Sequence, residues 1–155
     1  MAEILNIDPQ HMKGRRIKKA ADLLRDGGVI VYPTDTIYGL GCDITNKEAI
    51  ERIRRIKGRS SKKPMSFVCA DLSNVSDYAH VSNHAYRILK RSLPGPYPFV
   101  LPATRETPRI LQTKQKTVGL RVPNHPVPLA LVAELGHPII STSANYTDQE
   151  VLTDP

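Results

Sequence analysis

The chain carries only two cysteines, and no apolar run approaches the ~18 residues needed to span a bilayer. Too few thiols are present for a disulfide framework or a cysteine-built zinc site, so Cys42 and Cys69 read as reduced cytosolic thiols. The short apolar runs exclude an integral membrane protein. No apolar stretch precedes the first charges of MAEILNIDPQHMK, so nothing points to export and a cytoplasmic location is expected. No repeat, low-complexity tract or internal linker breaks the chain. Its 155 residues suit one domain, since single cores run to roughly 100–200 residues. Also missing are a Walker loop, a Rossmann fingerprint and a cysteine with an identifiable histidine partner. The five histidines fall at no convincing metal-ligand spacing. What the chain has in excess is positive charge, a formal +7, which favours an anionic partner or simply keeps the surface soluble.

The apolar pattern alternates between helical and strand periods. Ile17, Ala20, Ala21 and Leu24 mark one helical face, ended by Gly27 and Gly28. Val29–Tyr32 is too short for a helix and rich in β-branched residues, so a buried strand is expected. Thr45 and Glu48 have the form of a capping box, opening a helix that turns Ala49, Ile50, Ile53 and Ile56 inward and stops at Gly58. A strand is expected over Met65–Ala70. Asp71 and Ser82 read as N-caps of two further helices, the second with an Ala85, Ile88, Leu89 stripe. Phe99–Leu101 and the alternating Thr117–Val122 read as strands. Pro126–Leu135 reads as a helix closed by Gly136, and Pro138–Ile140 as a last strand. Strands alternating with helices argue for an α/β domain with a twisted, mixed parallel/antiparallel sheet.

Ligands of such sheets bind in the loops beyond strand ends, and four segments there carry chemistry. Pro33–Gly41 packs two threonines, a carboxylate, a phenol and two glycines behind a strand; the same composition also suits a turn closed by side-chain hydrogen bonds. Seven of the twelve residues from Arg52 to Lys63 are basic. If extended, this segment would point Lys57 and Arg59 to one side as a phosphate clamp, although cations at a helix end need no ligand. Arg121 shares a strand face with Thr117 and needs either a carboxylate ligand or a protein carboxylate. Ser141–Asn145 offers three hydroxyls and an amide, suited to phosphate or ribose or to capping. No acid–base pair or nucleophile emerges, so no catalytic residue is assigned; the donors and cations point to catalysis by positioning and charge.

In order along the chain stand GGVIVYPTDTIYGLG (Gly27–Gly41), KGR (Lys57–Arg59), PGP (Pro94–Pro96), GLRVP (Gly119–Pro123) and STSAN (Ser141–Asn145). Together they resemble the YrdC family of threonylcarbamoyl-adenylate synthases. The stretch Phe67–Leu72 is closer to the YciO-like branch, and Val68 stands where many synthases carry a histidine. The resemblance implies a single YrdC-like domain over 1–155, expected to stop short of the family's C-terminal strand and closing loop. It implies an enzyme of nucleotidyltransferase type that makes L-threonylcarbamoyl-adenylate from L-threonine, bicarbonate and ATP. A separate complex then transfers the threonylcarbamoyl group to tRNA. By the same resemblance Lys57, Arg59, Thr117, Ser143 and Asn145 serve ATP, and Thr36, Arg121 and Ser141 serve threonine. Thr34 and Tyr38 line the same pocket. Magnesium is expected with ATP, with no permanent cofactor. The alternative is a non-catalytic nucleotide- or double-stranded-RNA-binding protein with a basic face for tRNA.

Overall fold

The computed structural model describes residues 2–12, 14–58, 65–145 and 149–150. Arg59 and the end of the chain, 151–155, lie outside the described residues. Helix α1 (Arg15–Arg25) buries the expected Ile17, Ala20, Ala21 and Leu24. Strand β1 (Val29–Tyr32) leads to a strand the sequence pattern concealed, β2 (Gly39–Asp43), in which every residue is buried. Burial on both faces removes the alternation that announces a strand, and glycine is a poor strand former, so Gly39 and Gly41 read as loop.

Helix α2 (Lys47–Lys57) starts one residue later than the capping-box reading has it. Asn46 is the cap, its Oδ1 accepting the Ala49 N–H at 2.9 Å. Thr45 instead donates its N–H and its hydroxyl to Asp43 Oδ1, each at 2.8 Å. Asp43 is buried, and a buried carboxylate needs donors more than the helix needs a second cap. The last turn also differs: Ile56 is exposed and Lys57 is the buried residue. Strand β3 (Ser66–Val68) is shorter than expected. Helices α3 (Leu72–Tyr78) and α4 (Asn83–Ser92) are capped by Asp71 and Ser82 as read. In α4, Leu89 is buried, but Ile88 faces out.

Strand β4 (Phe99–Pro102), a 3-10 turn (Arg109–Leu111), β5 (Thr117–Arg121), α5 (Pro126–Leu135) and β6 (Ile139–Ser143) follow. β5 alternates as expected, and α5 ends on Gly136 with φ +89°, in the left-handed region. β6 begins and ends later than its sequence reading, so Ser141 and Ser143 are strand residues.

The described strands form one six-stranded sheet in the order β1-β2-β6-β3-β5-β4. β3 and β5 run parallel and the other neighbours antiparallel, the mixed sheet expected. One face carries Leu40, Cys42, Phe67, Val118, Leu120 and Ile140, packed with α2, α3 and α4. Phe67 meets Tyr78 edge-on, with centroids 5.5 Å apart. The other face carries Tyr32, Val68 and Ile139 beneath α1 and α5. Gly41, Ser141, Ser66 and Gly119 stand abreast on this same face, across four adjacent strands.

Tyr32 lies across the glycines of β2. A Cβ on Gly39 would come within 2.7 Å of its ring, and one on Gly41 within 2.7 Å of the Ile140 carbonyl. Gly41→Ala is therefore expected to cost about 1–3 kcal/mol of overpacking. The control is Gly14→Ala, where nothing lies within 4 Å. Urea midpoints of the two variants measure the difference, and equal midpoints refute it.

Candidate functional site

The loop between β1 and β2 is closed by Thr34. Its Oγ1 accepts the N–H groups of Thr36 (3.1 Å) and Ile37 (3.2 Å) and donates to the Ile37 carbonyl at 2.6 Å. The turn reading of this segment is thus correct for Thr34, whose hydroxyl organises the loop. The same turn presents Asp35 and Thr36 to β5. Arg121 Nη2 donates to Asp35 Oδ1 at 3.1 Å and to Thr36 Oγ1 at 3.2 Å. Asp35 Oδ2 accepts the Asn124 N–H at 2.9 Å. The Arg121 and Asp35 side chains are only 17% and 12% exposed. Removing one partner of so buried a pair costs about 3–5 kcal/mol, where an exposed pair is worth about 0–1. Arg121 Nε is buried and has no hydrogen-bond partner among the described residues.

Beside this pair, the Tyr32 hydroxyl donates to Ser141 Oγ at 2.5 Å. Burial pushes the Tyr32 phenol up to about 12, against the opposing pull of the Ser141 hydrogen bond and the nearby Arg121 charge. The phenol is therefore neutral and a donor at ordinary pH. Val68 is register partner to Arg121 and sits in the core under α1 and α5. Tyr38 turns its side chain to the core of the opposite face, while its carbonyl accepts the Ala144 N–H at 2.9 Å.

A second cluster forms where α2 ends against β6. Lys57 Nζ donates to the Ser143 carbonyl at 2.9 Å, the Asn145 carbonyl at 2.6 Å and Asn145 Oδ1 at 2.7 Å. Ser143 Oγ donates to Asn145 Oδ1 at 2.6 Å, and Asn145 Nδ2 to the Gln149 carbonyl at 2.8 Å. An ammonium has three protons, and oxygens of Ser143 and Asn145 surround it, Ser143 Oγ at 3.5 Å among them. The spacing argument for Lys57 in an extended clamp gives way to a helix end whose lysine is turned into the protein. Thr117, at the start of β5, lies toward the Ser143 end of the ladder and is bonded to Thr113 Oγ1 at 2.7 Å.

The structure thus brings Thr36, Arg121 and Ser141 to one end of the polar face and Lys57, Ser143 and Asn145 to another, joined along β6. Asp35, Tyr32 and Ser66 belong to the same surface and were not singled out from sequence. Asp35 was visible as the one carboxylate in its loop, but only the tertiary contact names its partner. The thiols are inert: burial pushes Cys42 up to about 12 and raises Cys69 as well. No group of three His, Cys, Asp or Glu gathers among the described residues to hold a metal.

A family model described as "Telomere recombination", covering the Sua5, YciO and YrdC proteins, matches residues 22–155. The chain belongs to this family. It is 46% identical to YciO of Escherichia coli over 144 residues, 92% of this chain and 70% of that protein. The crystal structure of E. coli YciO superposes with a TM-score of 0.78 at 45% identity, covering 89% of this chain and 65% of that one. A threonylcarbamoyl-AMP synthase of Nitrosococcus oceani is 41% identical over 131 residues, 84% of this chain and 71% of the synthase. P. abyssi Sua5 in complex with L-threonine superposes with a TM-score of 0.80 at 32% identity, covering 91% of this chain and 40% of that one. The chain thus spans about two thirds of the YciO structure and less than half of Sua5. None of the described helices is long and apolar enough to cross a membrane.

Two expectations concern the frame of the site. Lys57→Met strips the Ser143 and Asn145 oxygens of their charged donor and is expected to destabilise the fold by about 1–3 kcal/mol. Hydrogen exchange should quicken at 143–145 ahead of the rest of the sheet; uniform quickening would contradict this. His125 caps α5, its Nδ1 accepting the Val127 N–H at 3.2 Å. Burial lowers its pKa below the usual 6.5, with Asp35 pulling the other way. A histidine depressed in the native state binds more protons when unfolded, so its contribution is full above 6.5 and fades as pH falls below it. Melting temperatures from pH 8 to 5.5 are expected to drop below 6.5, and to drop less in His125→Asn, whose cap does not titrate.

Proposed function

We propose that the chain is an ATP-dependent enzyme of the threonylcarbamoyl-AMP synthase type, joining L-threonine, bicarbonate and ATP with release of pyrophosphate and water. The observation that carries the reading is Arg121: a largely covered guanidinium that donates to Thr36 and whose Nε has no partner among the described residues, on a domain whose relatives include named synthases and a threonine complex. The threonine carboxylate is assigned to Arg121, with Thr36 and Ser141 alongside, and Tyr38 and Thr34 shaping the loop behind them. The adenylate and its phosphates are assigned to the Lys57, Ser143 and Asn145 end of β6, with Arg59 and Thr117 as further nucleotide contacts. Magnesium enters with the nucleotide, neutralising the departing pyrophosphate. The chemistry asks for positioning and charge, because threonine nitrogen and bicarbonate supply the reacting atoms. The acyl product passes to a separate transfer complex acting on tRNA.

A second reading is a nucleotide- or RNA-binding domain without turnover. It is favoured by Lys57, whose protons are occupied by protein oxygens. Its mark is RNA affinity that falls steeply with salt, with no adenylate product. The deciding experiment incubates the folded protein with L-threonine, bicarbonate and ATP–magnesium. The synthase reading expects pyrophosphate release that needs all three, and release no higher than background refutes it. Arg121→Lys keeps the charge and loses the planar fork, so threonine affinity is expected to fall about tenfold or more. ATP affinity should be unchanged, as calorimetry of each ligand would show.

A further inference from the structure

A cleft of about 330 Å³ lies between the start of α2 and the 3-10 turn at Arg109–Leu111. Lys57 is at the other end of the same helix, ten steps of helical rise or about 15 Å away. Ile44 and Ile50, both buried, close the floor of the cleft, and the half-buried Pro108 and Ile110 form one wall. Lys47 and Arg109, both exposed, line it from opposite elements. The walls are fixed. The Leu111 N–H donates to the Pro108 carbonyl at 3.0 Å, Gln112 Nε2 to the Thr107 carbonyl at 2.8 Å, and the buried Thr107 hydroxyl to the Tyr78 carbonyl. Arg54 Nη2 reaches from α2 to the Ile110 carbonyl. Thr45, which also lines the cleft, turns its hydroxyl to Asp43. The charges run against local rules. Lys47 opens α2, where the helix dipole disfavours a cation. Glu51, one turn on, is paired with Arg54 instead. Neither Lys47 nor Arg109 has an ion pair or a side-chain hydrogen bond among the described residues. Two uncompensated cations thus flank an apolar cleft, and an anion with an apolar body satisfies both features. The volume is at the low end of small-molecule pockets, roughly 300–1,000 Å³. A folded partner needs about 20–30 residues a side, where seven line this cleft.

We propose that this cleft is a second ligand site, for a small amphiphilic carboxylate. Its acyl or aryl group lies along Pro108 and Ile110, and its carboxylate bridges the walls with one oxygen to Lys47 and one to Arg109. The site is separate from the Arg121 and Lys57 clusters, and it stands whether or not the chain turns over ATP.

The test titrates sodium hexanoate into the full ¹⁵N-labelled chain at constant ionic strength, with sodium acetate, 1-hexanol and hexylammonium chloride in parallel. Hexanoate is expected to bind with a dissociation constant of the order of 1 mM and to move the amide signals of 45–50 and 109–111. Acetate lacks the tail, hexanol lacks the charge and hexylammonium reverses it, so each is expected to bind about tenfold more weakly or worse. Lys47→Glu sets an acid where the dipole favours one. It is expected to keep the melting temperature while hexanoate affinity falls about tenfold. Arg109→Ala is expected to weaken hexanoate likewise, and Arg109→Lys to recover part of the loss. Hexanol binding as tightly as hexanoate, affinity unmoved in Lys47→Glu and Arg109→Ala, or shifts spread evenly over the surface each overturns the proposal. Shifts confined to 121 and 141–145 overturn it too, since they put the carboxylate in the other pocket. The hexanoate-to-hexanol ratio of the unaltered protein decides the matter even where a variant fails to fold.

Discussion

The antiparallel pairing of Gly39–Asp43 with Ile139–Ser143 is the constraint on which the rest of the molecule depends. It sets Gly39 opposite Ser143 and Gly41 opposite Ser141, so two segments about a hundred residues apart become one surface. The glycines are needed because the Tyr32 ring occupies the space their side chains would fill. In that position the Tyr32 hydroxyl reaches Ser141. Shift β6 by one residue and its serines turn into the core on the opposite face, while Ile140 turns to the face under α1 and α5. Packing and pocket are therefore enforced by the same ladder.

Lys57 and Arg121 are treated in opposite ways. Lys57 is enclosed by oxygens of Ser143 and Asn145, which ties the end of α2 to the end of β6. Arg121 is held through Nη2, and its buried Nε has no partner among the described residues. Burial of a charge is tolerated when its hydrogen bonds are made, a condition that Lys57 meets more fully than Arg121.

Much of the frame was legible in the chain. The helical faces of α1 and α2, the caps Asp71 and Ser82, the alternation of β5 and the glycine stop of α5 follow from local rules acting on neighbouring residues. The misreadings share a cause. Thr45 has the form of a cap, yet a buried Asp43 from the preceding strand claims its hydroxyl. Ile56 fits a helical stripe, but it is exposed, and Lys57 is covered instead. Gly39 and Gly41 look like turn residues until Tyr32 is seen lying over them. Each was decided by a neighbour distant in space or by burial that periodicity does not report.

The candidate site divides in the same way. The sequence by itself determined the fold class, the order of the strands' chemistry and the residue types offered: hydroxyls, glycines and two cations at strand and helix ends. It also posed the question at Arg121, a protein carboxylate or a ligand one. Only the tertiary structure supplied the protein carboxylate: Asp35 takes one nitrogen of Arg121, and its second oxygen is claimed by the Asn124 backbone. Periodicity and propensity concern residues close along the chain, whereas the pairing of a charge is settled by whichever donors and acceptors the fold brings within about 3 Å.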